Sequence, residues 1–300
     1  MPVELVHAFA ADGLRLDGAL HPPRNSAEHE PGRSPADRLQ AVLVLHGTGG
    51  NFYHSRFLTY VAERFTACGF ACLVANTRGH DQIATALVVQ ADGSTGSRLV
   101  GSAYERVDEC RLDIAAWLKM LRSAGYDRTA ICGHSLGAVK AVYAATHDHL
   151  PGVEAILAVS PPRLSYSQFA AGPRAAGFLA DIAAAERHVA EGRPEALMEI
   201  RFPLPYVITA AGYLDKYGPA ETYNILHHAG ALPIPTLFTY GGLEIRSGAA
   251  FRGMPEALEE LKARGANLST AVIARGDHNY TAVQDDLLNT VERWLRQRSY

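Results

Sequence analysis

Ala41-Val42-Leu43-Val44-Leu45 is an unbroken apolar run. A strand wetted on one side alternates apolar and polar residues. A run without that alternation belongs to a strand covered on both faces, as in a parallel sheet packed between helices. The segments around it carry the same message. Val3–Ala11 and Leu14–His21, split by Asp12-Gly13, read as an opening hairpin, and Phe70–Ala75, Thr129–Cys132, Val153–Val159, Thr236–Tyr240 and Leu268–Ala274 as further strands. Helical spacing fills the gaps over Ser55–Cys68 (Phe57, Leu58, Val61, Phe65), Tyr104–Ala124 (Val107, Ile114, Trp117, Leu118, Leu121), Gly137–Thr146, Met254–Arg264 and Ala282–Arg298. Alternation of this kind specifies an α/β architecture with a mostly parallel sheet. Two stretches break it. Residues 81–103, rich in Gly and Ser, predict an irregular excursion, and residues 163–230 predict a longer one of mixed helical and aromatic character. Residues 22–38, with Pro22, Pro23, Pro31 and Pro35 among charges, predict a surface loop.

Composition narrows the function classes. The 300 residues carry a net charge of −3 with no basic block, so the footprint of a nucleic-acid binder is missing. No stretch reaches the roughly 18 consecutive apolar residues of a membrane span. Met1-Pro2-Val3-Glu4 begins with an acid where a signal peptide places lysine or arginine, and no apolar segment follows. The four cysteines, Cys68, Cys72, Cys110 and Cys132, are too few for a disulfide framework in a chain this long. These features point to a cytoplasmic protein with reduced thiols and a small-molecule substrate.

Gly133-His134-Ser135-Leu136-Gly137 lies between a predicted strand and a predicted helix. That context makes G-x-S-x-G a nucleophile elbow: a sharp turn lifts the serine oxygen above the sheet, at the positive end of the following helix. Glycines on either side leave room for the strand and helix to cross. The bland alternative is a small-residue turn that packs a helix on a strand. Cys132, one residue before the motif, reads as a small buried apolar side chain rather than a nucleophile.

A nucleophilic serine needs a base, the base an orienting carboxylate, and the developing oxyanion hydrogen-bond donors. His278, in Gly276-Asp277-His278-Asn279-Tyr280, follows the last predicted strand, where loops at strand carboxyl ends collect catalytic groups. The remaining histidines read as surface or structural. His46 and His134 lie beside turns, His147, His149, His227 and His228 read as exposed helix ends, and no metal-ligand spacing accompanies any of them. Glu244, in Gly241-Gly242-Leu243-Glu244, is the leading carboxylate because it follows a strand and falls between serine and histidine in chain order. Asp277 competes, but a side chain adjacent to His278 diverges from it and is better suited to holding the loop. Asp215 and Glu221 fall in the 163–230 excursion. For the oxyanion, His46-Gly47-Thr48-Gly49-Gly50 follows a strand and can aim backbone N–H groups, Thr48 first and Gly49 second, jointly with the N–H of Leu136. A dinucleotide-binding reading of Gly47-x-Gly49 fails because Phe52 occupies the third glycine position.

Together these segments resemble the α/β-hydrolase superfamily over nearly the whole chain: His46–Gly50 after the third strand, Asn76-Thr77-Arg78-Gly79-His80 after the fourth, Gly133–Gly137 after the fifth, Gly241–Glu244 after the seventh and Gly276–Tyr280 after the eighth. The resemblance implies an α/β-hydrolase fold with an eight-stranded, mostly parallel sheet flanked by helices. It also implies a helical cap inserted after the sixth strand, dividing the chain into a core of residues 1–162 and 231–300 and a cap of residues 163–230. By the same resemblance Ser135 is the nucleophile, His278 the base and Glu244 the acid, with no cofactor and no metal. Many relatives carry Asp where Glu244 stands, and Asn76 replaces a commoner Asp. Relatives that open epoxides or displace halides use an aspartate nucleophile, which Ser135 argues against.

The expected activity is hydrolysis of a carboxylic ester or lactone through an acyl-enzyme. Thioester hydrolysis, carbon–carbon bond hydrolysis and acyl transfer use the same machinery, and a small-molecule receptor with an idle triad is the reading from a different class. Tyr166, Phe169, Phe178, Phe202, Tyr206, Tyr213, Tyr217 and Tyr223 either form the core of the excursion itself or line a pocket for a bulky apolar substrate.

Overall fold

A computed structural model describes residues 3–24 and 39–298. The loop expected over 22–38 therefore lies, from residue 25 onward, outside the described residues. The chain opens with the antiparallel pair β1 (Glu4–Phe9) and β2 (Arg15–His21), then enters the central strand β3 (Ala41–Leu45). Helix α1 (Arg56–Ala67) starts where Ser55 Oγ accepts the Leu58 N–H at 3.2 Å, and leads to β4 (Ala71–Ala75). A hairpin, β5 (Ala84–Val89) and β6 (Thr95–Val100), precedes α2 (Cys110–Ser123), β7 (Thr129–His134), α3 (Leu136–His147) and β8 (Val153–Val159).

Residues 163–230 then leave the sheet and form α4 (Tyr166–Ala170), α5 (Ala175–Ala190), the hairpin β9 (Leu197–Ile200) and β10 (Tyr206–Thr209), α6 (Ala210–Tyr217) and α7 (Ile225–Ala229). The alternation resumes with β11 (Thr236–Gly241), α8 (Gly242–Ser247), α9 (Met254–Ala263), β12 (Leu268–Ile273) and α10 (Gln284–Arg296). The main sheet has eight strands in the order β1-β2-β4-β3-β7-β8-β11-β12, parallel from β4 through β12 and antiparallel only at the β1-β2-β4 edge.

Strand periodicity divides the core into two layers. Leu43 and Leu45 face one layer with Ile114, Trp117 and Leu121 of α2, while Val42 and Val44 face the other with Phe57 and Phe65 of α1 and Leu287 of α10. Every residue of β3, β4 and β7 is buried. That burial is why β3 and β4 run apolar without alternation.

Two expectations need correction. Residues 81–103 are not irregular, because they hold the β5–β6 hairpin, with Ala84 opposite Val100 and Val89 opposite Thr95. The hairpin escapes pattern reading because only Val88 and Val100 are buried on its two strands, while Ile83, Leu87 and Leu99 are exposed. The hairpin is tied to the rest of the fold by a bridge between Leu14 and Val88 and by the Val89 N–H donating to Gly13 O at 2.9 Å. Helix α2 begins at Cys110, not Tyr104. Arg106 is extended, its Nη1 donates to Ala211 O at 2.5 Å, and Glu105 turns into the core. Contacts with the 163–230 segment thus displace the first helical turn.

The aromatic side chains of that segment mostly pack on one another. Phe169, Phe178, Tyr213, Tyr217 and Tyr223 are all buried, and the Phe169–Phe178 and Tyr213–Tyr217 ring centroids lie 5.5 and 5.2 Å apart. Tyr166, Phe202 and Tyr206 are half-buried.

The turn after β4 is tied down by Arg78, which is 2% exposed. Its Nη2 lies 2.8 Å from Asp113 Oδ1 on α2, and its Nη1 reaches Asp12 Oδ2 at 3.1 Å and Glu109 Oε2 at 2.9 Å. Asp113 also accepts the Arg78 backbone N–H at 2.8 Å. Asp12 and Glu109 still face the guanidinium when Asp113 is removed, but the Arg78 backbone N–H and Nε lose their acceptor. Asp113→Ala is therefore expected to lower unfolding free energy by about 2 kcal/mol in a urea titration.

Candidate active site

The chain turns from β7 into α3 at Ser135, whose backbone sits at φ 55° and ψ −123°. That conformation is sparsely populated by non-glycine residues and costs roughly 1–3 kcal/mol, so the surrounding structure must hold it. It does so by close packing. A Cβ on Gly137 would lie 2.5 Å from both Leu45 O and His46 O, and one on Gly133 would collide with Gly137 O. A Cβ on Gly47 would lie 2.9 Å from Ser135 Cβ. Glycine at these positions lets the elbow, the end of β3 and the following turn meet. Ser135 N–H donates to Val159 O at 2.8 Å, fixing the elbow to the neighbouring strand.

Ser135, His278 and Glu244 come together. His278 Nε2 is 3.0 Å from Ser135 Oγ, and His278 Nδ1 is 2.8 Å from Glu244 Oε2. A carboxylate only accepts, so the Nδ1–H donates to Glu244 and the unprotonated Nε2 accepts from the Ser135 hydroxyl. Glu244, 5% exposed, sits on α8 just past β11. Its second oxygen accepts the Ser160 hydroxyl at 2.5 Å and the Gly241 N–H at 2.7 Å. Ser160 follows β8 at φ 50°, and its Oγ also lies 2.9 Å from the Tyr280 hydroxyl. The arrangement therefore draws on the carboxyl ends of β7, β8, β11 and β12.

His278 is held from several directions. Asp277 Oδ1 accepts the Asn279 and Thr281 N–H groups at 3.0 and 2.9 Å, which shapes the loop that carries His278. His134 Nε2 lies 2.8 Å from His278 O and its ring centroid 4.8 Å from the His278 ring. Burial, and then the neighbouring His278, push the His134 imidazole down to about 3, so it donates as a neutral ring and adds no like charge beside His278. The Phe251 ring lies 5.1 Å from that of His278.

Thr48 and Leu136 occupy the two turns that meet at Ser135. Thr48 is half-buried in the turn closed by Gly50 N–H donating to Gly47 O at 3.1 Å. Leu136 opens α3, where the first-turn N–H groups have no intrahelical acceptor. Burial raises the Cys132 thiol to about 12, which makes it a poor nucleophile. Among the described residues no group of three or more His, Cys, Asp and Glu is placed to hold a metal ion. No helix among them is long and apolar enough to cross a membrane.

Ser160 and Tyr280 are participants that sequence patterns did not single out. Pro161-Pro162 stops the strand Val153–Val159 and leaves Ser160 without a signal of its own, and Tyr280 reads as part of the loop motif. Their hydroxyls matter only through the contacts that the fold makes. Because a hydrogen bond to a charged group contributes about 1.5–3 kcal/mol, Ser160→Ala is expected to slow reaction of Ser135 with a fluorophosphonate by about tenfold or more. Time-resolved intact mass spectrometry would measure this.

Comparison with known proteins adds to this geometry. Residues 42–299 match the model of a family described as the alpha/beta hydrolase family. No curated protein matches the chain. Among solved structures, it is similar to the esterase PF2001 of Pyrococcus furiosus at 15% identity, with a TM-score of 0.61 and coverage of 100% of this chain and 92% of that one. Est1E from Butyrivibrio proteoclasticus, solved with ferulic acid bound, aligns at 16% identity with a TM-score of 0.61, covering 97% of this chain and 98% of its own. The alpha/beta hydrolase GrgF from Penicillium sp. sh18 aligns at 15% identity and a TM-score of 0.65, covering 99% of each chain.

Proposed function

The chain belongs to the alpha/beta hydrolase family, and we propose that within it this protein is a serine hydrolase that cleaves carboxylic esters or lactones through an acyl-enzyme. The observation that carries this reading is the continuous contact from Ser135 Oγ to His278 Nε2 at 3.0 Å and from His278 Nδ1 to Glu244 Oε2 at 2.8 Å. His278 takes the seryl proton as Ser135 attacks the acyl carbon, and Glu244 stabilises the imidazolium that forms. The tetrahedral oxyanion is held by the Thr48 and Leu136 N–H groups. Collapse breaks the acyl–oxygen bond, and His278 returns the proton to the leaving alkoxide. Water, deprotonated by the same histidine, then attacks the acyl-enzyme and frees Ser135.

Residues 163–230 form the cap in this reading, set on a core of residues 1–162 and 231–300. Their position between β8 and β11 supports it. Most of the aromatic residues there are consumed in internal packing. Apolar surface beside the base comes instead from Phe251, which favours a substrate with an apolar acyl or alcohol portion. The likeness in fold to esterases supports ester cleavage over the other reactions that such a triad performs.

A fluorophosphonate should add once per chain, and peptide mapping should locate the adduct on Ser135. Ser135→Ala should neither label nor hydrolyse a p-nitrophenyl ester, with kcat lower by about 10⁴-fold or more. An adduct elsewhere, or turnover retained by the variant, would reject the assignment.

A further inference from the structure

A line of buried polar groups runs from the 163–230 segment to the turn after β3. Lys216, on α6, places Nζ 3.5 Å from Glu105 Oε2 and 3.4 Å from the Tyr206 hydroxyl. The other oxygen of Glu105 pairs with Nζ of Lys140 on α3. That ammonium also donates to Thr77 Oγ1 at 2.8 Å. The Thr77 backbone N–H then donates to His46 Nε2 at 3.0 Å, and Thr77 Oγ1 lies 3.1 Å from the same nitrogen. Finally, His46 Nδ1 is 2.7 Å from Gly47 O. Glu105 and Lys216 are 2% exposed, His46 1%, and Lys140 and Thr77 not at all.

The chemistry of each group fixes the protons. An ammonium only donates, so Thr77 Oγ1 accepts from Lys140 and turns its own hydrogen toward His46 Nε2. With the Thr77 N–H aimed at it as well, Nε2 carries no proton. The proton is on Nδ1, which donates to the Gly47 carbonyl. Burial and the Lys140 charge push His46 down to about 3, so the ring stays neutral. Burial by itself would raise the Glu105 carboxyl, but the Lys140 and Lys216 ammoniums outweigh it and hold the group at about 2. Gly79 admits this carboxylate, since a Cβ there would collide with Glu105 Oε1.

The consequence falls on the next amide. A trans peptide is planar, and its C=O and N–H point in opposite directions. Holding the Gly47 carbonyl on the His46 ring at 2.7 Å, with the Gly50 N–H as its second donor at 3.1 Å, therefore turns the Thr48 N–H away from that ring. Gly47 itself lies against Ser135. Two lysines buried with one carboxylate make a costly arrangement, and such ionic groups are candidates for fixing one conformation rather than for adding stability.

We propose that Lys216, Glu105, Lys140, Thr77 and His46 are positioning residues: docking of the 163–230 segment through Lys216 orients His46, and His46 aims the Thr48 amide at the oxyanion. This rests on the serine-hydrolase reading and extends it, because it makes oxyanion stabilisation depend on how that segment is seated. Neither Lys216 nor His46 touches the reacting atoms.

The test compares His46→Phe, His46→Asn, Thr77→Val and Lys216→Met with the unaltered chain. Each is normalised by fluorophosphonate titration of reactive serine. Two quantities are read: kcat and KM for a p-nitrophenyl ester, and the inhibition constant of an aryl trifluoromethyl ketone, whose serine adduct is an oxyanion. Loss of an oxyanion donor lowers kcat by about 10²–10³-fold, which is the expectation for His46→Phe, with KM little changed and ketone affinity lower by a similar factor. His46→Asn keeps an N–H donor near the Nδ1 position and should recover most of the loss. Thr77→Val and Lys216→Met should show the same split at about tenfold, the size of one hydrogen bond, with an unchanged pH profile because His278 is untouched.

Ketone affinity equal to that of the unaltered chain in Thr77→Val and Lys216→Met would overturn the proposal. So would parallel changes in KM, reactive fraction and melting temperature with no kcat loss per reactive site. If His46→Phe does not fold, the other three variants carry the test. Failure of the underlying reading looks different, because the unaltered chain would then show no more labelling than Ser135→Ala.

Discussion

The close approach of the end of β3 to the start of α3 is the constraint on which the rest depends. Gly137 has no room for a side chain against Leu45 O and His46 O, and Gly47 none against Ser135. That contact sets the distance between the strained serine and the turn holding Thr48. It also brings His46 within reach of Thr77 and Lys140. A methyl group at either glycine would separate two turns whose proximity gives the serine its chemical setting.

Polar groups inside this protein are arranged in sets whose members need one another. Arg78 is surrounded by Asp12, Glu109 and Asp113, Glu105 by Lys140 and Lys216, and Glu244 by donors from Ser160, Gly241 and His278. A lone buried charge would neutralise or unfold its surroundings, whereas a set satisfied on all sides fixes geometry. The Arg78 set ties the turn after β4 to α2. The Glu105 set ties the turn at His46 to the 163–230 segment. The Glu244 set orients His278. Each acts at the carboxyl edge of the sheet or just beneath it, where geometry matters more than net stability.

Legibility in the sequence followed burial. The inner strands of the main sheet could be read because strands covered on both faces must be apolar throughout, as at Ala41–Leu45 and Ala71–Ala75, and the half-exposed β1 and β2 because Asp12-Gly13 marks the turn between them. Ser135, His278 and Glu244 could be nominated because an elbow, a strand-end loop and a chain order leave local traces. The β5–β6 hairpin left none, since its strands bury a single valine each. Helix α2 starts later than Tyr104 because Glu105 and Arg106 find their partners on other elements.

The sequence by itself determined the layers, the succession of strands and helices, and the turn types at Gly133–Gly137 and His46–Gly50, because those depend on short-range periodicity and on where a Cβ fits. Only the tertiary structure decided which hydroxyl supports Glu244, which carboxylate faces Lys140 and that Lys216, the one lysine of the 163–230 segment, joins it. Ser160 meets Glu244 across 84 residues, and Lys216 meets Glu105 across 111. Side chains that far apart share no sequence pattern, since their pairing is set by which strand ends the sheet brings side by side.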